Sequence, residues 1–167
     1  MIYLISGVPG SGKSTIANEL VKKVERGYLI ETDLIRDFVK TGYASPARWT
    51  IETTKQFELA TYNTCVLAKN AEKYGFTVVI DDAVSIEQEK IYLAELPQAV
   101  RIWLDPSLEV ITSRNKSRGK FVDEDLIKRV YENKSLNKIN SADNWNIIDT
   151  SNLNVDETLE RISSLSS

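Results

Sequence analysis

A six-residue window near the start of the chain, Gly7-Val8-Pro9-Gly10-Ser11-Gly12, holds three of its seven glycines and runs straight into Lys13-Ser14-Thr15. The pattern is G-x-x-x-x-G-K-S, a phosphate-binding loop. Ile2-Tyr3-Leu4-Ile5 before it is short, apolar and β-rich. Ile16-Ala17-Asn18-Glu19-Leu20-Val21 after it has helical spacing. Strand, glycine loop, helix is the context that separates this motif from an ordinary Gly-rich turn. Glycines let the backbone wrap a phosphate with its N–H groups aimed inward, and a helix starting near Lys13 adds its positive end. The expected contacts to a nucleoside triphosphate are Gly7, Pro9, Gly10, Ser11, Gly12, Lys13, Ser14 and Thr15. Lys13 is expected to reach the β- and γ-phosphates, and the Ser14 hydroxyl to ligate Mg²⁺.

The rest of the chain alternates strands and helices. Strands are expected at 2–6, 28–32, 77–80, 99–104 and 146–149. Helices are expected from the loop to about Arg26, closed by Gly27; over 34–40, closed by Gly42; and from about Trp49 to Tyr74, closed by Gly75. Ser45-Pro46 reads as an N-cap followed by proline at the first helical position. Ser85 with Gln88, Asp105-Pro106, Asp123, and Asn154 with Glu157 read as further helix starts. Such alternation predicts an α/β fold: a five-stranded parallel sheet with helices on both faces. In such sheets ligands bind beyond the carboxyl ends of the strands, so polar residues there matter most: the loop itself, Asp33, Asp81, Asp82, Asp105 and Thr150. One domain, 1–167, is expected, with a densely charged lid over about 114–123.

Composition narrows the function classes. The 167 residues are 42% hydrophobic and 27% charged with a net charge of −3. This suits one folded domain and gives no sign of disorder or a membrane span. No basic segment precedes the first strand, so the expectation is no signal peptide and a cytoplasmic location. The single cysteine, Cys65, lies in a helical run and reads as a small core residue. There is no histidine. A His-ligated zinc site is excluded, and a general base must be a carboxylate or an unusual Lys, Tyr or Cys.

Three further groups of residues point at phosphoryl transfer. Asp33-Leu34-Ile35-Arg36 follows the second strand, and residues i and i+3 share a helix face. In isolation this would read as an N-cap aspartate with a solvated arginine. Beside a phosphate-binding loop, the Asp33 carboxylate is placed to take a proton from an attacking hydroxyl, and Arg36 to hold an anionic group of the acceptor. Thr77-Val78-Val79-Ile80 ends in Asp81-Asp82, a hydrophobic strand running into an acid. One carboxylate of the pair, expected to be Asp81, supports Mg²⁺, and the other, Asp82, faces the acceptor. In the lid, Arg114 and Arg118 are i, i+4 and bring positive charge over the transferring phosphate when the lid closes.

These segments occur in the order and spacing of a P-loop kinase. Gly7–Thr15, Asp33-x-x-Arg36, Val78-Val79-Ile80-Asp81-Asp82 and Arg114-Asn115-Lys116-Ser117-Arg118-Gly119 together most resemble the polynucleotide 5′-hydroxyl kinases and their small-molecule relatives. The resemblance implies an ATP- and Mg²⁺-dependent kinase in which Lys13, Asp33 and Arg118 are catalytic. It implies further that Arg114 lies near the adenine and Arg36 contacts an acceptor phosphate. The chain departs from that group at Asp123, where relatives often carry proline.

The acceptor is less constrained. The best fit to the resemblance is a nucleic-acid 5′ end, entering a local basic mouth formed by Arg36, Lys40, Arg48 and Lys55. The acidic balance fits a sugar, nucleoside, antibiotic or hydroxy acid equally well and does not suggest a broad nucleic-acid surface. A regulatory GTPase is disfavoured because Asn115-Lys116-Ser117-Arg118 lacks the aspartate of a guanine-reading N-K-x-D. An ATPase module without a phosphoacceptor is the remaining alternative.

Overall fold

Apolar alternation along the strands decides which face of the sheet each residue covers. The computed structural model describes residues 1–117, 131–132 and 145–165. Its elements run β1 (Ile2–Gly7), α1 (Lys13–Lys22), β2 (Gly27–Glu31), α2 (Thr32–Arg36), α3 (Ile51–Lys73), β3 (Thr77–Asp81), α4 (Ile86–Glu95), β4 (Val100–Leu104), α5 (Leu108–Ser117), β5 (Trp145–Ile148) and α6 (Val155–Ser164). The strands form one parallel sheet in the order β2-β3-β1-β4-β5. The expected five-stranded α/β architecture is therefore present.

All six residues of β1 are buried, as a strand covered on both faces requires. Ile2 and Leu4 of β1, Val78 and Ile80 of β3, and Trp103 of β4 pack on one face with Cys65 and Ala68 of α3 and Tyr92 of α4. Tyr3, Ile5, Val79, Ile102 and Leu104 point the other way, onto Ile16, Ala17 and Leu20 of α1 and Leu159 and Ile162 of α6. Helices thus cover both faces. Trp103 and Trp145 meet edge to face with centroids 6.0 Å apart inside the first cluster. Trp103 is a core residue, as its place in a strand suggests, and Cys65 is buried with its thiol pushed up to about 12 by burial. Among the described residues, no helix is long and apolar enough to cross a membrane.

Successive connections lead from β1 to β2 on one side and from β3 to β4 on the other, so the order reverses at the carboxyl end of β1. A crevice opens at such a switch point. Gly7–Gly12 stands in it.

Several boundaries differ from the sequence expectation. Helix α1 ends at Lys22, and its cap, Lys23, donates its N–H to the Leu20 carbonyl. Gly27 opens β2 instead of closing α1. A Cβ on Gly27 would lie 2.3 Å from the Val21 carbonyl oxygen and 2.6 Å from Val21 Cγ2, so the glycine is there for a close approach. Gly27→Ala should lower unfolding free energy by about 1–3 kcal/mol, the cost of overpacking. Urea titration measures this, and an unchanged midpoint would show that α1 shifts freely to make room.

Ser45-Pro46 starts no helix. Ser45 closes a turn, accepting from Ala47 N–H at its Oγ and from Arg48 N–H at its carbonyl. Helix α3 begins instead at a capping box in which Thr50 and Thr53 satisfy each other's backbone N–H groups. Before α5, Ser107 rather than Asp105 does the capping, with its Oγ accepting from Val110 N–H at 3.4 Å. The boxes Ser85/Gln88 and Asn154/Glu157 form as the sequence suggests. Asp123 and the helix expected from it lie outside the described residues.

Candidate active site

The loop between β1 and α1 is shaped by backbone that only glycine adopts easily. Gly10 and Gly12 have φ of 87° and 101°. Gly12 is the N-cap of α1 in the left-handed region, and no side chain caps the helix. No acidic residue occupies its first turn. The N–H groups at the start of α1 therefore face outward with their partial positive charge intact, which is the requirement for holding a phosphate. Lys13 Nζ arches back to the Val8 carbonyl at 3.3 Å, so its charge lies over the loop.

Asp81 ends β3 beside this loop. The Ser14 hydroxyl hydrogen-bonds to its carboxylate. Burial raises the Asp81 pKa; the Ser14 hydrogen bond and the Lys13 charge oppose the rise, and the Asp33 charge adds to it. Ser14 and Asp81 thus come together as a hydroxyl and a carboxylate. Among the described residues, no three His, Cys, Asp or Glu side chains cluster as a metal cage. Mg²⁺ does not need one: it keeps several waters and takes one or two protein oxygens plus phosphates. The residues present fit Mg²⁺ in that mode.

Asp82 points the other way, as adjacent strand residues do. It is buried, and its Oδ2 accepts from Tyr92 Oη at 2.7 Å and Gln88 Nε2 at 3.2 Å. Burial pushes its pKa up to about 7, against the Tyr92 hydrogen bond. This inward orientation departs from the acceptor contact expected of Asp82 from the sequence.

Asp33 lies in the first turn of α2, with its side chain 76% exposed, and accepts from Arg36 Nη1 at 3.1 Å. Its charge acts on both Asp81 and Asp82, so Asp33 lies near the end of β3. Arg36 is held flat, its guanidinium carbon 4.4 Å from the Phe57 ring centroid, and Phe57 packs in turn against Trp49. Arg36 Nε is buried and has no hydrogen-bond partner among the described residues. Trp49 stays exposed, with its indole N–H donating to Thr54 Oγ1 at 2.9 Å.

On the other side of the loop, Arg114 of α5 donates to the Ser11 carbonyl at 3.1 Å and the Thr150 carbonyl at 3.2 Å. It forms one wall of a cleft of about 200 Å³ whose other walls include Thr15, Ile16, Thr150, Leu153 and Val155. The apolar walls suit a flat ring. Ser11 Oγ, Thr150 Oγ1 and Asn115 Nδ2 are buried around this region without hydrogen-bond partners among the described residues. Leu153 and Val155 carry no motif in the sequence, and Asn154 reads there only as a cap. Their position beyond β5 is the signal that would have found them. Arg118 and the lid beyond it lie outside the described residues.

The family model described as an AAA domain matches residues 6–120. An L-seryl-tRNA(Sec) kinase of Methanococcus maripaludis is 27% identical over 141 residues, covering 79% of this chain and 51% of its own length. A shikimate kinase of Prochlorococcus marinus is 27% identical over 134 residues, covering 80% of this chain and 64% of its own length. The chain thus spans about half to under two thirds of these curated relatives. Among solved structures, a sugar kinase from Janibacter sp. HTCC2649 superposes with a TM-score of 0.72 at 18% identity, covering 98% of this chain and 92% of that one. A deoxyadenosine kinase from M. mycoides with bound dATP superposes with a TM-score of 0.64 at 21% identity, covering the whole of both chains. With that family model matching well over half of its length, the chain belongs to the AAA domain family.

Proposed function

We propose that the protein transfers the γ-phosphate of ATP to a hydroxyl group of a small molecule. The observation that carries this is the Asp33–Arg36 ion pair, whose Asp33 charge reaches Asp81, the residue hydrogen-bonded to Ser14 of the phosphate-binding loop. A module that only hydrolysed ATP would have no use for a carboxylate and a guanidinium set out for an acceptor.

The N–H groups of the loop and of α1, with Lys13, bind the phosphates. Arg114 and the cleft beside it take the base. Ser14 and Asp81 would hold Mg²⁺, which would supply positive charge to offset that of the phosphates. Asp33 accepts the proton of the attacking hydroxyl, and Arg36 orients an anionic group of the acceptor. Arg118, from the family resemblance, supplies charge at the transferring phosphate. The kinases of sugar, shikimate and deoxyadenosine among the relatives and neighbours support a small acceptor better than the polynucleotide 5′ end suggested by the sequence.

The test is a transfer screen with γ-labelled Mg-ATP against sugars, nucleosides and hydroxy acids, with 5′-hydroxyl DNA and RNA oligomers beside them. A small product should be labelled, and ATP turnover should stay slow until an acceptor is added. Label on the oligomers alone would favour the polynucleotide reading, and acceptor-independent turnover an ATPase module. Within an active preparation, Asp81→Asn should raise the Mg²⁺ concentration needed for half-maximal rate, roughly 10- to 100-fold as for lost metal support. An unchanged Mg²⁺ dependence would remove Asp81 from the metal site.

A further inference from the structure

Behind the crevice runs a buried line of hydroxyl groups that the reaction as described does not use. Thr64 Oγ1 of α3 donates to Thr32 Oγ1 at 3.3 Å. Thr32 Oγ1 lies 3.3 Å from Tyr92 Oη of α4. Tyr92 Oη donates to Asp82 Oδ2 at 2.7 Å. A tyrosine hydroxyl has one proton, and here it goes to the carboxylate, so Thr32 is the donor in the middle contact. Every bond in the line therefore points one way, from Thr64 through Thr32 and Tyr92 to Asp82. Bonds so aligned polarise one another in a low-dielectric interior. Gln88 braces the end of the line, donating to Asp82 and to Thr61.

Two members of this line, Asp82 and Thr32, adjoin residues of the candidate site in the chain. Asp82 follows Asp81, and its N–H is pinned to the Ile5 carbonyl of β1 at 3.2 Å, the strand that carries the phosphate-binding loop. Thr32 precedes Asp33. Thr32 is also the only residue of α2 that is fully buried, while Asp33 and Leu34 are exposed and Glu31 provides no side-chain cap. Ile35 and Arg36 pack at the far end of this five-residue helix, so Thr32 is the anchor at the Asp33 end. The position of the Asp33 carboxylate relative to the loop thus depends on what holds the Thr32 hydroxyl. Tyr92 itself is 1% exposed and touches solvent nowhere that matters for binding.

We propose that Tyr92 is a positioning residue for phosphoryl transfer: held by Asp82, its hydroxyl fixes Thr32, and Thr32 sets the Asp33 carboxylate in line with the phosphate-binding loop. The inference rests on Asp33 as the proton acceptor, given above. It makes the 2.7 Å bond between two buried groups part of the catalytic geometry, though neither Tyr92 nor Asp82 meets the reacting atoms.

The experiment pairs hydrogen exchange with kinetics on Tyr92→Phe, Thr32→Val and Thr32→Ser. Tyr92→Phe removes one oxygen and keeps the ring in the core. It should speed amide exchange over residues 33–37, with the amides of α1 unchanged as the internal standard. The kcat for acceptor phosphorylation should fall roughly 10- to 100-fold, the range for a small misplacement of a reacting group, with ATP affinity unchanged. Thr32→Val should reproduce both effects, and Thr32→Ser, which keeps the hydroxyl, should restore both. If Tyr92→Phe does not fold, the two Thr32 variants carry the same comparison. Unchanged exchange in α2 overturns the proposal whatever the activity. Faster exchange with wild-type kcat overturns it too, leaving the line as a structural tie only. If the wild-type protein phosphorylates no acceptor while Tyr92→Phe still loosens α2, the proposed function is what has failed, and the positioning role falls with it.

Discussion

Asp33→Asn should bind ATP as the unchanged protein does and lose most acceptor phosphorylation. The substitution keeps the size of the side chain and an oxygen to accept from Arg36 Nη1, now at 3.1 Å. It removes only the ability to take up a proton. With no histidine in the chain, no imidazole can stand in. Of the other carboxylates in the crevice, Asp81 is engaged with Ser14 and Asp82 with Tyr92 and Gln88. A fall in kcat of about 10²–10⁴-fold is the range for losing a positioned general base. The pH profile of kcat should lose its acidic limb, since that limb reports a carboxylate giving up its proton. Steady-state rates across pH, with ATP affinity measured separately, decide the matter. If Asp33→Asn kept both kcat and profile while Asp81→Asn or Asp82→Asn lost them, the base would belong to β3.

Lys13→Ala should be as damaging for a different reason. Lys13 Nζ bends over the loop toward the Val8 carbonyl, where a phosphate oxygen would replace or join that contact. Its charge is most needed as negative charge shifts onto the leaving oxygen, so kcat should suffer more than ATP binding. Losses of roughly 10²–10⁴-fold match the removal of a single charge-stabilising donor from such a site. The fold should be intact, because the side chain packs at the surface of the loop and belongs to neither core cluster. Thermal melting alongside single-turnover transfer separates the two effects. Near-normal kcat with Mg-ATP in a folded Lys13→Ala protein would refute the assignment of the loop.

The parts of the fold that were legible in the sequence are those whose signal is local. The unbroken apolar runs Ile2–Ile5 and Val78–Ile80 mark the central strands, because a strand covered on both faces buries every side chain. The boxes at Ser85 and Asn154 were legible because a cap and its partner lie three residues apart. Ser45-Pro46 misled for the same reason: it has the local chemistry of a helix start, and only the competing box at Thr50 decides where α3 begins. Gly27 misled because a glycine between a helix and a strand can serve either one, and what selects here is contact with Val21. In the candidate site, the loop and Asp33-x-x-Arg36 could be seen as motifs. Tyr92 could not. It reads as one more aromatic of an amphipathic helix, and its partners Thr32 and Thr64 lie 60 and 28 positions away along the chain. The division of labour between Asp81 and Asp82 was likewise beyond the sequence, since alternation says that they diverge but not which way each one faces.

One amide has an effect on the acceptor side out of proportion to its size. Gln56 of α3 is buried; it donates to the Gly42 carbonyl at 2.8 Å and accepts from Ala44 N–H at 2.9 Å. It clasps the stretch between α2 and α3 to the long helix before any acceptor arrives. Under the proposed function this wall is ready-made, so an incoming molecule does not have to freeze a loop as it docks, and more of its contact energy is left for affinity. The same rigidity makes the protein a selective host. Under that function, a molecule too bulky for the space meets a fixed barrier rather than a yielding one.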